Sequence, residues 1–215
     1  DAKKGTATTE NAKVEVKKKD DVGISFSYLA NSLPFPIDSV SGVWENPQTQ
    51  ADALAVYPFI QEFNQETLKV RNLKKGNYEL KIDGQKIRTF SADTLAKGVN
   101  MALLSNTPQY QQAAAIMYLN DLRLDLEKKL REYYWLQYNY FKGQNMLFED
   151  SEVAFEKMQN EAKTNWFVKS KMGVYQTARF PEVRKMWQDN IDQLTEKIYQ
   201  TNQPKNHLIE IVAVK

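Results

Sequence analysis

Residues 77–90 read NYELKIDGQKIRTF and contain the clearest structural signal in the chain. Before the turn, apolar and polar residues alternate, which is the period of a strand with one buried face. The apolar residues of that strand are Tyr78, Leu80 and Ile82. Asp83-Gly84 is typical of a two-residue type I′ turn, and Ile87 and Phe90 continue into the next strand. The stretch therefore predicts a β-hairpin. Ser91, which follows it, is typical of the N-cap of a short helix that Gly98 ends.

A second alternating pattern lies nearer the N-terminus. Apolar residues alternate with charged ones over 12–16, and again over 24–28, on the two sides of a turn at residues 19–23. This pattern predicts another hairpin. Leu33-Pro34-Phe35-Pro36 should end the pairing, because proline has no amide hydrogen to donate to a neighbouring strand.

The chain after residue 106 has helical periodicity. Thr107-Pro108 is typical of a helix start, and no helix-breaking residue follows before Gly143. Apolar residues at i+3 and i+4 spacing indicate one buried stripe on this helix, with surface ion pairs Asp125–Lys129 and Glu127–Arg131. Two further helices are predicted, over about 150–166 and 183–198, followed by a short β-like run at 208–212.

The order of these elements favours an α+β fold. We expect small antiparallel β units, then a three-helix antiparallel region with a C-terminal strand. The predicted parts are a flexible segment at 1–11, a β-rich part at 12–105 and a helical part with the last strand at 106–215. Together these parts are expected to form one compact domain.

Composition excludes several classes of function. The 215 residues include 29 basic and 27 acidic ones, and no basic patch is large enough to predict nucleic-acid binding. The absence of cysteine excludes disulfides and thiol catalysis, and a single histidine makes a histidine-rich metal site impossible. No apolar stretch is long enough for a membrane span. No cofactor is predicted.

Catalytic residues are not predicted either. The single histidine, His207, could act as a general base. The residue three positions before His207 is Pro204 and not an aspartate, and we interpret His207 as a surface or strand-edge residue. No Gly-x-Ser-x-Gly motif exists. The acidic pairs Asp121/Asp125 and Glu149/Asp150 are interpreted as surface residues and as favourable charges at a helix start.

Aromatic residues are the most distinctive feature of the long helix. Six of them lie within residues 133–141, and Trp135 falls on the side away from the main stripe. A helix buried on two sides explains this pattern; alternatively, Trp135 covers a partner surface or a sugar ring. Trp166 and Trp187 are predicted in the core. Trp44, in an unpatterned region, is a candidate docking residue.

Several segments resemble the region that follows the catalytic domain in bacterial SGNH/GDSL-type hydrolases. The segments are FSYLANSLPFP at 26–36, FNQETLKV at 63–70, GNYELKIDG at 76–84, GVNMA at 98–102 and NTP at 106–108. The resemblance extends from about residue 12 to Val212. The family's nucleophilic serine lies in a Gly-Asp-Ser block, which does not occur here.

The resemblance implies a parent protein that hydrolyses esters and is exported in bacteria. We therefore expect this chain to be a non-catalytic accessory domain that packs on the hydrolase domain of the same parent chain. The candidate docking residues are Pro34, Phe35, Pro36, Trp44 and Trp135. The alternatives are a carbohydrate-binding module and a structural or oligomerisation unit.

Overall fold

The computed structural model describes residues 1–20, 22–38 and 49–214. The predicted α+β class is confirmed, with an antiparallel sheet, several helices and a C-terminal strand. The chain divides into two compact units. The first unit comprises Asp1–Met117 with Thr201–Lys215, and the second comprises Tyr118–Gln200. This division differs from the predicted parts, because the final strand groups with the β-rich residues and not with the helices.

The strands are β1 Ala12–Lys19, β2 Gly23–Ala30, β3 Thr67–Leu68, β4 Asn77–Ile82, β5 Gln85–Ser91, β6 Val99–Asn100 and β7 His207–Ala213. The helices are α1 Gln50–Ala53, α2 Phe59–Glu62, α3 Ala92–Lys97, α4 Pro108–Asn139, α5 Glu152–Glu161, α6 Trp166–Ala178 and α7 Pro181–Thr201. Short 3-10 turns occupy Met101–Leu103 and Phe141–Gln144.

The main sheet of the first unit has the strand order β1-β2-β7-β4-β5, and all neighbouring strands are antiparallel. Both predicted hairpins, β1–β2 and β4–β5, are confirmed. Strand β7 lies between them, and its Ile209 and Ile211 are fully buried. An added Cβ at Gly23 would lie 1.9 Å from the carbonyl oxygen of Ile211, so β2 can approach β7 here only with glycine.

Local signals predicted the connections correctly. Asp83 and Gly84 have φ values of 52° and 78°, as a type I′ turn requires. The Ser91 hydroxyl accepts a hydrogen bond from the Thr94 amide at 3.1 Å and so caps α3, which ends at Gly98 with φ 111°. The first residues, predicted to be weakly ordered, make contacts: the Ala2 amide donates to the Arg71 carbonyl at 2.9 Å.

The second unit consists of most of α4, together with α5, α6 and most of α7. Its core includes Tyr133, Leu136, Phe141, Phe155, Met158, Tyr175 and Trp187. The predicted second helix corresponds to α5, which ends at Glu161, and α6 follows a break at residues 162–165 as a further helix that was not predicted. Asn165 caps α6 by accepting hydrogen bonds from the Phe167 and Val168 amides. This break places Trp166 at the start of α6 with 70% of its surface exposed, so its predicted core position is wrong. The predicted core position of Trp187 is confirmed.

The predicted ion pairs on α4 are not formed. Glu127 pairs with Arg123 and not with Arg131, and Lys129 places its ammonium 5.6 Å from the centre of the Trp187 ring. A cation over an indole face is favourable, so Lys129 points toward α7 and away from Asp125. Within the described residues, no helix is long and apolar enough to cross a membrane.

Candidate functional site

Four aromatic side chains of the first unit form an exposed cluster, called here the aromatic surface: Phe35, Tyr57, Phe59 and Phe63. The Phe35 and Phe59 rings meet edge to face with centres 5.4 Å apart, and Phe63 stacks on Phe59 at 6.0 Å and on Tyr57 at 6.3 Å. Phe35 is 52% exposed and Phe63 is 68% exposed. Exposed apolar groups that cluster in this way are typical of a surface that contacts another macromolecule.

A buried asparagine holds the aromatic surface in place. The Phe35 amide donates to Oδ1 of Asn64, and Nδ2 of Asn64 donates to the Phe35 carbonyl, both at 2.9 Å. Asn100 continues the network: its Nδ2 donates to the Asn64 carbonyl and its Oδ1 accepts from the Glu66 amide, both at 2.8 Å. These bonds satisfy the backbone of an irregular segment, so Phe35 is presented by an ordered scaffold.

The structure brings together some of the predicted docking residues. Of the two residues that flank Phe35, Pro34 is half-buried and Pro36 is buried. Only Phe35 of these three therefore presents a largely exposed side chain. The partners of Phe35 on the aromatic surface, at 57–63, were not predicted. Trp44 lies outside the described residues. Trp135 belongs to the second unit and is partly buried, with its ring centre 4.2 Å from that of Phe167.

A partly buried polar cluster of the first unit surrounds His207. Nδ1 of His207 lies 2.7 Å from Oδ2 of Asp83, and Oδ1 of Asp83 accepts the Leu208 amide at 2.8 Å. Oε1 of Glu66 accepts a hydrogen bond from Nε2 of Gln109 at 2.9 Å, and the Tyr28 hydroxyl lies near the same carboxyl group. Tyr28 pairs with His207 in the β2–β7 ladder.

The interpretation of His207 as a surface or strand-edge residue is wrong. The residue is only 7% exposed and lies on the central strand β7, which pairs on both sides. Within the described part of the chain, Nε2 of His207 has no hydrogen-bond partner. The imidazole is therefore oriented by a carboxylate but is not coupled to a hydroxyl nucleophile, which a serine hydrolase requires.

The two carboxyl groups of the cluster have opposite pKa shifts. Burial raises the pKa of Glu66, and the hydrogen bond from Gln109, the nearby Tyr28 hydroxyl and the charge of His207 offset only part of that rise. Burial also acts to raise the pKa of Asp83, but hydrogen bonds from His207 and the Leu208 amide outweigh it and bring the pKa below its usual value. Glu66 thus resists ionisation, and Asp83 favours it.

The second unit has its own polar cluster, centred on Asp150. Tyr133 at 2.5 Å and Arg184 at 3.0 Å donate to Oδ2 of Asp150, while Gln137 at 3.0 Å and Tyr175 at 3.3 Å donate to Oδ1. Burial and the Asp150 charge raise the pKa of both tyrosines far above the usual range. Asp150 was interpreted as a favourable charge before a helix; the structure shows instead that it joins α4, α6 and α7.

Metal binding finds no support in this arrangement. Among residues 1–20, 22–38 and 49–214, no group of three or more histidine, aspartate or glutamate side chains is placed to hold a metal ion. The geometry supports a contact surface more directly than a reaction centre.

Comparisons with known proteins relate the chain to one enzyme type. Residues 114–203 match the family model of the diltiazem deacetylase C-terminal helical domain. A solved structure described as BT4096, a gut microbial diltiazem-metabolizing enzyme, is 39% identical with a TM-score of 0.90. The alignment covers 99% of this chain and 48% of that one, so this chain spans about half the length of BT4096. No curated protein matches. The likeness fits a family related to esterases.

Proposed function

We propose that this chain is a non-catalytic accessory region of an ester hydrolase of the SGNH/GDSL type, and that its aromatic surface packs against the catalytic part. The observation that carries the proposal is the cluster that exposed Phe35 and Phe63 form around half-buried Phe59, on a hydrogen-bonded scaffold. Isolated apolar residues are common on protein surfaces, but a cluster held by a buried asparagine is a built feature.

The comparisons support the choice of a hydrolase part as the partner of this surface. About half of BT4096 lies outside the region similar to this chain, and that enzyme metabolises diltiazem. The family model for residues 114–203 is named for the C-terminal domain of a deacetylase, and deacetylation is ester or amide hydrolysis. Among the described residues, the buried imidazole of His207 has no nucleophile partner, which supports placing the reaction centre in the other part.

A chimeric protein tests the proposal. This chain would replace the matching half of BT4096, and the thermal unfolding of the chimera and its deacetylation of diltiazem would be measured. Phe63→Ser, made together with Phe35→Ser, should lower the unfolding midpoint of the hydrolase half by roughly 5 °C, because central aromatic contacts at interfaces contribute more than 1 kcal/mol each.

The matched control is Phe167→Ser, an exposed phenylalanine of the second unit. This variant should leave the hydrolase half as stable as in the unchanged chimera. If the double variant and the control behave alike, the aromatic surface does not contact the hydrolase part, and the proposal is wrong in its central element.

Glycan binding is the alternative function, and one observation favours it: Trp166 is exposed beside Phe167 and near Trp135. The rings do not form one flat platform, since Trp166 and Phe167 are inclined by 76° and Trp135 and Phe167 by 40°. Titration calorimetry with soluble polysaccharides would decide, with Trp166→Ala and Trp135→Ala as variants. Binding that either substitution abolishes would favour the glycan role over docking.

A further inference from the structure

The turn between β4 and β5 consists of Asp83 and Gly84, and the sequence contains no other Asp-Gly pair. In such a pair the glycine amide nitrogen can attack the aspartate side chain, because glycine has no side chain that obstructs the approach. The Asp83 side chain is 47% exposed, and an added Cβ at Gly84 would meet no atom within 4 Å. Water therefore reaches this turn.

Strand β7 holds Asp83 by its backbone and by both of its carboxyl oxygens. The Asp83 amide donates to the Leu208 carbonyl, and Oδ1 of Asp83 accepts from the Leu208 amide, both at 2.8 Å. Oδ2 of Asp83 lies 2.7 Å from Nδ1 of His207. These contacts fix the direction of the Asp83 side chain toward β7.

The reaction open to an Asp-Gly pair is isomerisation through a succinimide ring. The Gly84 nitrogen forms a bond to Cγ of Asp83, and a carboxyl oxygen leaves as water with the amide proton and the carboxyl proton. Water then opens the ring, and its attack on the backbone carbonyl carbon of Asp83 leaves the chain linked through the side chain, as isoaspartate. The water that is lost is replaced, so the reaction needs no other reactant.

The contacts from β7 oppose ring closure in two ways. The attack requires Cγ of Asp83 to turn toward the Gly84 nitrogen, while the hydrogen bonds hold the carboxylate at β7. Loss of water also requires a protonated carboxyl group. Partial burial acts to raise the pKa of Asp83, but hydrogen bonds from His207 and the Leu208 amide lower it overall, which disfavours the protonated form.

We propose that Asp83-Gly84 is a site of spontaneous isoaspartate formation, and that His207 protects it by fixing the Asp83 carboxylate. The isomerised turn would have one more backbone carbon, and its carboxylate would no longer reach the β7 contacts. The buried imidazole thus has a role that requires no nucleophile. This inference does not depend on the proposed function.

Long incubation of the folded chain at neutral pH tests the proposal, with peptide mapping and enzymatic methyl labelling to locate and measure isoaspartate. The folded chain should form isoaspartate at Asp83 at least about tenfold more slowly than the same chain in concentrated urea, because unfolding removes the hydrogen bonds to the carboxylate. His207→Phe keeps a buried ring but removes the donor. It should raise the rate in the folded chain by about tenfold.

His207→Asn is the matched control, because its side-chain amide places a donor near the position of Nδ1. It should isomerise almost as slowly as the unchanged chain, and circular dichroism should show that both variants are folded. Equal rates in the folded chain and in urea would overturn the proposal, and that comparison uses no variant. A folded His207→Phe that reacts as slowly as the unchanged chain, or a His207→Asn that reacts as fast as His207→Phe, would also overturn it.

Discussion

Each unit of the chain buries a cluster of polar groups, but the two clusters differ in how their donors and acceptors match. In the second unit, both oxygens of Asp150 accept hydrogen bonds, from two tyrosines, a glutamine and an arginine. In the first unit, Asp83 and one oxygen of Glu66 find donors, but Oε2 of Glu66, Nε2 of His207 and Oε1 of Gln109 have no partner within the described chain.

We expect burial of polar groups to have opposite consequences in the two clusters. A fully hydrogen-bonded carboxylate positions the chain around it, and Asp150 joins three helices in this way. An unpartnered buried polar atom costs about 1–3 kcal/mol. We therefore expect the second unit to depend strongly on its cluster, and the first unit to tolerate or even gain from changes in its own.

The largest effect is expected at Asp150. Asp150→Ala should lower the free energy of unfolding of the second unit by about 3 kcal/mol, because Arg184 then keeps a largely buried charge without its carboxylate. Urea unfolding followed by circular dichroism measures this loss.

Asp150→Asn is the control for this prediction. Asp150 has φ 48°, a conformation that asparagine tolerates better than alanine, so Asn removes the charge with little backbone strain. It should cost less than Ala. An equal, small loss for both variants would contradict the importance of the Asp150 cluster.

An intermediate effect is expected at Asp83 and should depend on pH. Its pKa is lowered in the folded chain, so the stability it contributes is present above its unfolded pKa and is lost as pH falls through the folded value. Asp83→Asn should remove this contribution, about 1 kcal/mol or less because the side chain is half exposed. Unfolding midpoints of the two proteins should converge in acid and separate near neutral pH. A difference between the two midpoints that does not change with pH would contradict this prediction.

The smallest effect, of opposite sign, is expected at Glu66. Its pKa is raised in the folded chain, so its contribution is most favourable below the unfolded pKa and is lost as pH rises through the folded value. Glu66→Gln keeps an acceptor for Gln109 and removes the buried charge. The variant should match the unchanged chain in acid and be more stable by roughly 0.5 kcal/mol at neutral pH. If Glu66→Gln were less stable than the unchanged chain at neutral pH, the Glu66 carboxylate would stabilise its unit, as Asp150 is expected to do in the second unit.

Local sequence signals predicted most of the fold. The Asp83-Gly84 turn, the Ser91 cap and the Thr107-Pro108 helix start depend on neighbouring residues, and each was found in place. His207 was misjudged because its burial depends on β7 lying between β2 and β4, and its partner Asp83 is 124 residues away in sequence.

The candidate site was predicted only in part. Phe35 was predicted as a docking residue within the Leu33–Pro36 loop, on the basis of the family resemblance, but the rings of Phe59 and Phe63 reach it through the fold and not through sequence spacing. Trp166 seemed to lie on an apolar stripe, and the helix break before Asn165 removed it from that stripe. The Asp150 cluster depends on three helices, so periodicity within any one helix could not indicate it.

Ester turnover by the purified chain tests most directly whether its single imidazole takes part in catalysis. The unchanged chain and His207→Ala would be assayed side by side with p-nitrophenyl acetate, across the pH range in which histidine titrates. Both proteins should hydrolyse the ester at the same rate, and that rate should equal the rate in buffer that contains free imidazole. Turnover that the unchanged chain shows and His207→Ala loses would contradict a non-catalytic role.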